Sequence, residues 1–265
     1  MHPNKNIHEK ESTAKFNLLN NYVKDFYELG YCLIPNLFDQ YEVMQISNHF
    51  DRLQKIASSL HATQYVRGTQ FVIERESIQR VVWSCSIEPE LQKLGTDSRI
   101  STIVAAILGS SKFDHLICQN HFKLPGDDVE FAWHQDTEHR RFGTELWKDV
   151  NGKGSYVQTV TAIDAMHLSN SPIMVIPKSS HLGHLALNVG NNRKKYVDET
   201  KLVPIVMEPG SVLFFGPYLI HGSLKNTSSQ ARRVFINGFS YPGANTRKYP
   251  GNGSGYSLDV KPSSN

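Results

Sequence analysis

The chain of 265 residues predicts a mainly β fold, a sandwich or barrel, with helices flanking it on the N-terminal side. Three observations predict this. From Phe113 onward, short apolar or alternating runs follow one another: 115–122, 130–134, 156–164, 173–176, 202–207, 211–215 and 232–241. Turn residues such as Pro125-Gly126, Asn151-Gly152, Ser171-Pro172 and Pro209-Gly210 separate them, which is the punctuation of a sandwich or barrel. Before Phe113 the apolar spacing is helical, so helices come first and pack on one sheet of the β core.

Taken in order, residues 1–15 are polar and read as a mobile arm. Residues 16–29 carry Leu18, Leu19, Tyr22, Val23, Phe26 and Tyr27 at amphipathic helical spacing, and Gly30 ends the helix. Tyr31 to Pro35 is a short strand. Residues 41–60 form a second helix with Val43, Ile46, Phe50, Leu53 and Ile56 in one stripe. Residues 90–108 give two further helical pieces closed by Gly109. The tail, 242–265, is rich in Gly, Ser, Asn and Pro, and either is disordered or lies over a pocket. All 265 residues read as one domain, and no internal repeat is present.

Composition narrows the function classes. Hydrophobic residues make up 39% and charged residues 20%, enough for a sizeable core. A net charge of +3 is too small for the dense basic stripe of a nucleic-acid binder. Apolar runs such as 103–108 are too short to span a bilayer. Cys32, Cys85 and Cys118 are few, odd in number and far apart, which builds no disulfide framework and suits a reducing cytoplasm. The expected partner is a small molecule, with no nucleic acid and no membrane, and the chain a monomer or homodimer.

The chemistry starts at Trp133-His134-Gln135-Asp136. On a strand, residues two apart face the same way, so His134 and Asp136 can meet one metal ion. His221 follows 87 positions later, behind the turn and strand Glu208 to Phe215. Two imidazoles and one carboxylate leave three coordination positions open, the arrangement associated with non-haem iron oxygenases. The plain alternative is a surface His beside a solvated Asp. Eleven positions after His221 stands Arg232, sharing a strand face with Val234 and Ile236 and so pointing inward, with Arg233 facing the other way. A planar guanidinium suits the far carboxylate of a dicarboxylate cosubstrate. Alternatively, both arginines are surface charges at a strand end.

These residues match a known pattern. The chain resembles the phytanoyl-CoA dioxygenase (PhyH) family of Fe(II)/2-oxoglutarate-dependent oxygenases from about Phe26 to about Tyr241. The likeness rests on Tyr27 to Tyr31 with Ile34-Pro35, on Lys123 to Gly126, on Trp133 to Asp136, on Ile176 to His181, and on His221-Gly222-Ser223 with Asn226 and Arg232. Asn170-Ser171-Pro172 stands where the family usually has Asn-Gly, and Pro177 to His181 carries one extra residue; both departures concern a local loop.

The resemblance implies a double-stranded β-helix of the jelly-roll, cupin type. It implies Fe(II) on His134, Asp136 and His221, with 2-oxoglutarate and O2 as cosubstrates. It implies 2-oxoglutarate contacts from Arg232 and Ser223, and from Gln119, Lys123 and Thr159. The presence of Asp136 points to hydroxylation, desaturation or dealkylation rather than halogenation, with succinate and CO2 released. His139, Arg140 and Arg67 are substrate candidates, within a basic set that also includes Arg75, Arg80, Arg141 and Lys148. That set suits a small, polar, anionic or amino-acid-like metabolite, such as one from natural product biosynthesis. An acyl-CoA or lipid substrate is the alternative, as is a metal-binding protein without turnover. His181 and His184 read as loop-shaping residues, and His115, His121 and His167 as packing or surface residues.

Overall fold

The computed structural model describes residues 17–127, 129–251 and 255–260; the arm expected over 1–15 lies outside them. Residues 17–29 form helix α1 and are followed by β1 (Tyr31–Ile34). Helix α2 (Gln40–Ala57) starts in a capping box: the Asp39 carboxylate accepts from Glu42 N, and Asp39 N donates to the Glu42 carboxylate, both at 2.8 Å. The two pieces expected over 90–108 are α3 (Glu90–Gly95) and α4 (Ser98–Leu108).

Two antiparallel sheets form the jelly-roll core. The larger runs β1, β10 (Val212–Phe215), β7 (Tyr156–Ala162), β12 (Val234–Ser240), β5 (Lys112–His121), β4 (Ser77–Val82), β3 (Thr69–Glu74) and β2 (Gln64–Val66), with β13 (Tyr256–Asp259) also on β5. The smaller runs β6 (Phe131–His134), β11 (His221–Ser223), β8 (Ile173–Val175) and β9 (Val203–Ile205).

Strand alternation decides which core each residue joins. On β10, Val212 and Phe214 pack toward the helices with Ile46, Phe50 and Leu53 of α2, while Leu213 and Phe215 pack toward the smaller sheet with Val175 and Ile205. On β12, Phe235 and Phe239 face the helices, and Val234 and Ile236 face the smaller sheet. Because both faces are covered, every residue of β7 and of β12 is buried.

The turn before β10 depends on Gly210. Its φ is +87°, and a Cβ there would stand 2.1 Å from the Phe38 carbonyl oxygen. Gly210→Ala should therefore destabilise the fold by about 2–4 kcal/mol, read from the midpoint of chemical unfolding. An unchanged midpoint would show that the loop shifts freely.

The structure differs from expectation in three places. The hairpins β2–β3 and β3–β4 were not read: the β3–β4 turn puts Arg75 and Glu76 at positive φ, where Gly or Asn would have signalled a turn, while the β2–β3 turn carried that signal in Gly68. Of the tail, expected to be disordered or to lie over a pocket, residues 247, 249 and 250 line a cavity and residues 256–259 pair with β5; residues 252–254 and 261–265 lie outside the described residues. Cys85 and Cys118, expected to be unpaired, form a disulfide, because the segment after β4 lies beside β5. Cysteine usage therefore gives no argument for a reducing compartment. Among the described residues, no helix is long and apolar enough to cross a membrane.

Candidate active site

Strands β6 and β11 are neighbours in the smaller sheet, and their register sets His221 opposite His134. The ring centroids lie 4.2 Å apart. Gly222 lets this happen: a Cβ there would stand 2.4 Å from the Trp133 ring and 2.7 Å from Phe131 O. Asp136 opens the one-turn helix α5 (Asp136–His139) directly after β6. One ligand atom from each of His134, Asp136 and His221 lies within 4.8 Å of the other two. Gln135, between the two ligands, faces away and staples the site's surroundings. Its amide donates to Gly183 O at 2.8 Å and to Tyr218 O, and its oxygen accepts from Leu185 N at 2.7 Å.

The donors suit a divalent metal. His134 Nδ1 donates to Ala132 O at 2.7 Å, and His221 Nδ1 to Leu219 O at 3.0 Å, so each ring keeps the Nε2 lone pair free. Burial, then the neighbouring His221, pulls His134 down to about 4, and burial also lowers His221, so both rings stay neutral. Burial opposes charge on Asp136, but the Arg140 guanidinium beside it acts the other way, and the carboxyl lies below its usual range. Two neutral imidazoles and an ionised carboxylate are the protonation states that ligation needs.

A cavity of about 600 Å³ opens over this trio. Arg232 lies in its wall, 2% exposed, and among the described residues no carboxylate is bonded to it. One Nη donates to Ser223 Oγ at 3.3 Å, and Nε has no partner. Burial lowers its pKa to about 10. Arg233 turns the opposite way, into Asp164 at 2.8 Å and Asp51 at 2.7 Å. A buried guanidinium without an anion is costly, and a dicarboxylate entering the cavity would supply one.

The family model for phytanoyl-CoA dioxygenase (PhyH) matches residues 26–234. The chain belongs to the phytanoyl-CoA dioxygenase family. A methylphosphonate hydroxylase of Gimesia maris is 27% identical over 145 residues, 54% of this chain and 51% of that protein, so the match spans about half the relative's length. Among solved structures, EctD from S. alaskensis with bound Fe superposes with a TM-score of 0.70 at 21% identity, over 90% of this chain and 85% of that one. EvdO2 from Micromonospora carbonacea var. aurantiaca, complexed with 2-oxoglutarate, gives 0.63 at 18% identity, over 87% and 94%.

Within this phytanoyl-CoA dioxygenase fold the other candidates separate. Ser223 and Gln119 line the cavity. Lys123 lies behind Ser223 instead. Its Nζ donates to Ser223 Oγ at 2.8 Å and to the carbonyls of Ser223 and Leu224, and burial, then Arg232, lowers it to about 6. Thr159 is corrected: its neighbours Gln158 and Val160 line the cavity, so strand alternation turns Thr159 away, and its hydroxyl donates to Asn237 O.

Of the substrate candidates, His139 and Arg80 line the cavity. Arg67 is corrected, since it sits exposed in the β2–β3 turn, and Arg75 lies in the β3–β4 turn. Arg141 and Lys148 are exposed, the latter paired with Glu145 at 2.9 Å. Arg140 also lines the cavity, with its guanidinium buried 3.2 Å from Asp136. His121, expected to be a packing or surface residue, reaches the cavity. His181 and His184 bond to Glu28 O and Thr137 Oγ1 and stay outside the cavity.

Residues missed from the sequence also line it: Arg193 of α6 (Asn192–Tyr196), and Arg247, Tyr249 and Pro250 of the tail. These lie in segments without strand or helix periodicity, so only their basic and aromatic character could have flagged them.

Proposed function

We propose that this chain is an iron(II)- and 2-oxoglutarate-dependent oxygenase that hydroxylates a small anionic metabolite. The observation that carries this reading is Arg232, buried and without an anion in the same cavity as His134, Asp136 and His221. In this reading the two Nε2 atoms and the Asp136 carboxylate hold iron. Arg232 and Ser223 bind the far carboxylate of 2-oxoglutarate, and Lys123 fixes Ser223 from behind. When bound, iron with 2-oxoglutarate supplies the oxidising chemistry: one oxygen atom of O2 ends in the substrate hydroxyl, the other in succinate, and CO2 leaves. Val160, Ile173, Phe215 and Ile236 form an apolar wall that keeps water from the reacting atoms.

The substrate's charge is read from three further cavity arginines, Arg80, Arg193 and Arg247. Arg80 is partly buried, and burial lowers its pKa, so a bound anion would relieve it. The relative named methylphosphonate hydroxylase makes an alkylphosphonate the first candidate, with acidic amino acids next. The test is succinate formation with iron and 2-oxoglutarate in the presence of methylphosphonate, aspartate, glutamate or an acyl-CoA. One of the small anions should stimulate succinate release well above the uncoupled rate, with a hydroxylated product. Stimulation by the acyl-CoA alone would sink the small-anion reading.

A further inference from the structure

Arg140 sits four residues after Asp136, at the end of the single turn α5. Its backbone N–H donates to Asp136 O at 3.1 Å, which folds the side chain back along that turn. The residue is 6% exposed and reaches the cavity wall, but its guanidinium is already engaged by protein groups. Nη2 donates to Asp136 Oδ2 at 3.2 Å and to Gln158 Oε1. The same Gln158 oxygen accepts from the Tyr156 hydroxyl at 2.9 Å, and the guanidinium lies 4.3 Å from the centroid of the Tyr156 ring. Tyr249, from the segment that follows β12, lies near the guanidinium, its hydroxyl donating to Asn245 Oδ1 at 3.4 Å. Arg140 is therefore bonded to Gln158, packed on the Tyr156 ring and directed at one oxygen of one carboxylate.

A carboxylate free to turn about its Cβ–Cγ bond can offer a metal one oxygen or both. Offering both would take a coordination position that the three-ligand arrangement leaves open for cosubstrate and oxygen. A charge-assisted hydrogen bond to Oδ2 removes that freedom. We infer that Arg140 is a positioning residue for the metal centre: it holds Asp136 Oδ2, leaves Oδ1 as the single donor oxygen, and is itself held by Gln158 and the Tyr156 ring, with Tyr249 nearby. This assignment replaces a substrate role for Arg140 and rests on the metal site proposed above.

Cobalt(II) is the probe, because its visible spectrum reports coordination number and its binding needs no turnover. Wild type, Arg140→Lys, Arg140→Gln, Gln158→Met and Tyr249→Phe are titrated with cobalt(II), with folding checked by circular dichroism. Arg141→Ala, at an exposed neighbour, is the control and should match wild type. Loss of a residue that orients a metal ligand typically weakens the metal by about 10–100-fold, which is expected for Arg140→Gln together with an altered spectrum. Arg140→Lys should recover part of the affinity, since it keeps the charge but not the fork. Gln158→Met and Tyr249→Phe should move affinity the same way by less, and they decide the question if both Arg140 variants fail to fold.

Wild-type affinity and spectrum in folded Arg140→Gln would overturn the inference, as would unchanged binding in both Gln158→Met and Tyr249→Phe. A wild-type protein that binds no cobalt(II) would instead overturn the metal site itself, and with it this role.

Discussion

Alanine at His134, at Asp136 or at His221 is expected to bring succinate formation down by about three orders of magnitude or more. Each supplies one of three proposed ligands, a bound metal contributes several kcal/mol to such a reaction, and each 1.4 kcal/mol is tenfold in rate. The measurement is succinate released per iron under saturating 2-oxoglutarate, alongside iron retained after desalting. Full activity in any one variant would remove that residue from the site. Asp136 also bears on the outcome of the reaction. With its carboxylate on the metal, the wild type should give no chlorinated product even at high chloride. Asp136→Gly should lose hydroxylation and gain little halogenation, because halogenation also needs substrate placed off the hydroxylation path. A chlorinated product from the wild type, seen by mass spectrometry, would mean that Asp136 is not a ligand.

Arg232→Ala should weaken apparent 2-oxoglutarate binding while leaving metal affinity near wild type. Truncating one partner of a buried, hydrogen-bonded charge pair costs about 2–5 kcal/mol, on the order of thirty-fold to several thousand-fold in affinity. Arg232→Lys should restore only part, since a point charge cannot reproduce two parallel bonds. Titration with 2-oxoglutarate, read by succinate formation, separates the cases. An unchanged affinity in Arg232→Ala would transfer the role to Lys123, whose Nζ lies 2.8 Å from Ser223 Oγ. Arg233 is the weaker substitute, being already engaged by Asp164 and Asp51.

Much of the fold was legible because its signals are local. The helical stripe of α2, the helix-stopping Gly30 and the short apolar runs of β10 and β12 each follow from residues close in sequence. The β3–β4 hairpin was missed for the same reason in reverse: its turn uses Arg75 and Glu76 at positive φ, a choice that local propensity disfavours and the surrounding structure tolerates. Lys123 and Thr159 show the limit of carrying a role along a segment. Both lie on the right stretch of chain, but one sits behind Ser223 and the other one pleat off the cavity.

By itself the sequence determined the family, through Trp133 to Asp136, the spacing to His221 and the further spacing to Arg232. It also determined the inward direction of Arg232 and the outward direction of Arg233, because period-two alternation is a local rule. Only the tertiary structure decided what each charge near the centre does. Arg140 and Arg80 look alike in the sequence; one is consumed by Asp136, 3.2 Å away and four residues back, while the other opens into the cavity from a hairpin strand. The same holds for Arg193, Arg247 and Tyr249, brought over the cavity by segments with no periodicity to read. Charge and burial act between residues near in space, and for side chains far apart along the chain that nearness is set by sheet register and loop path, which leave no local pattern.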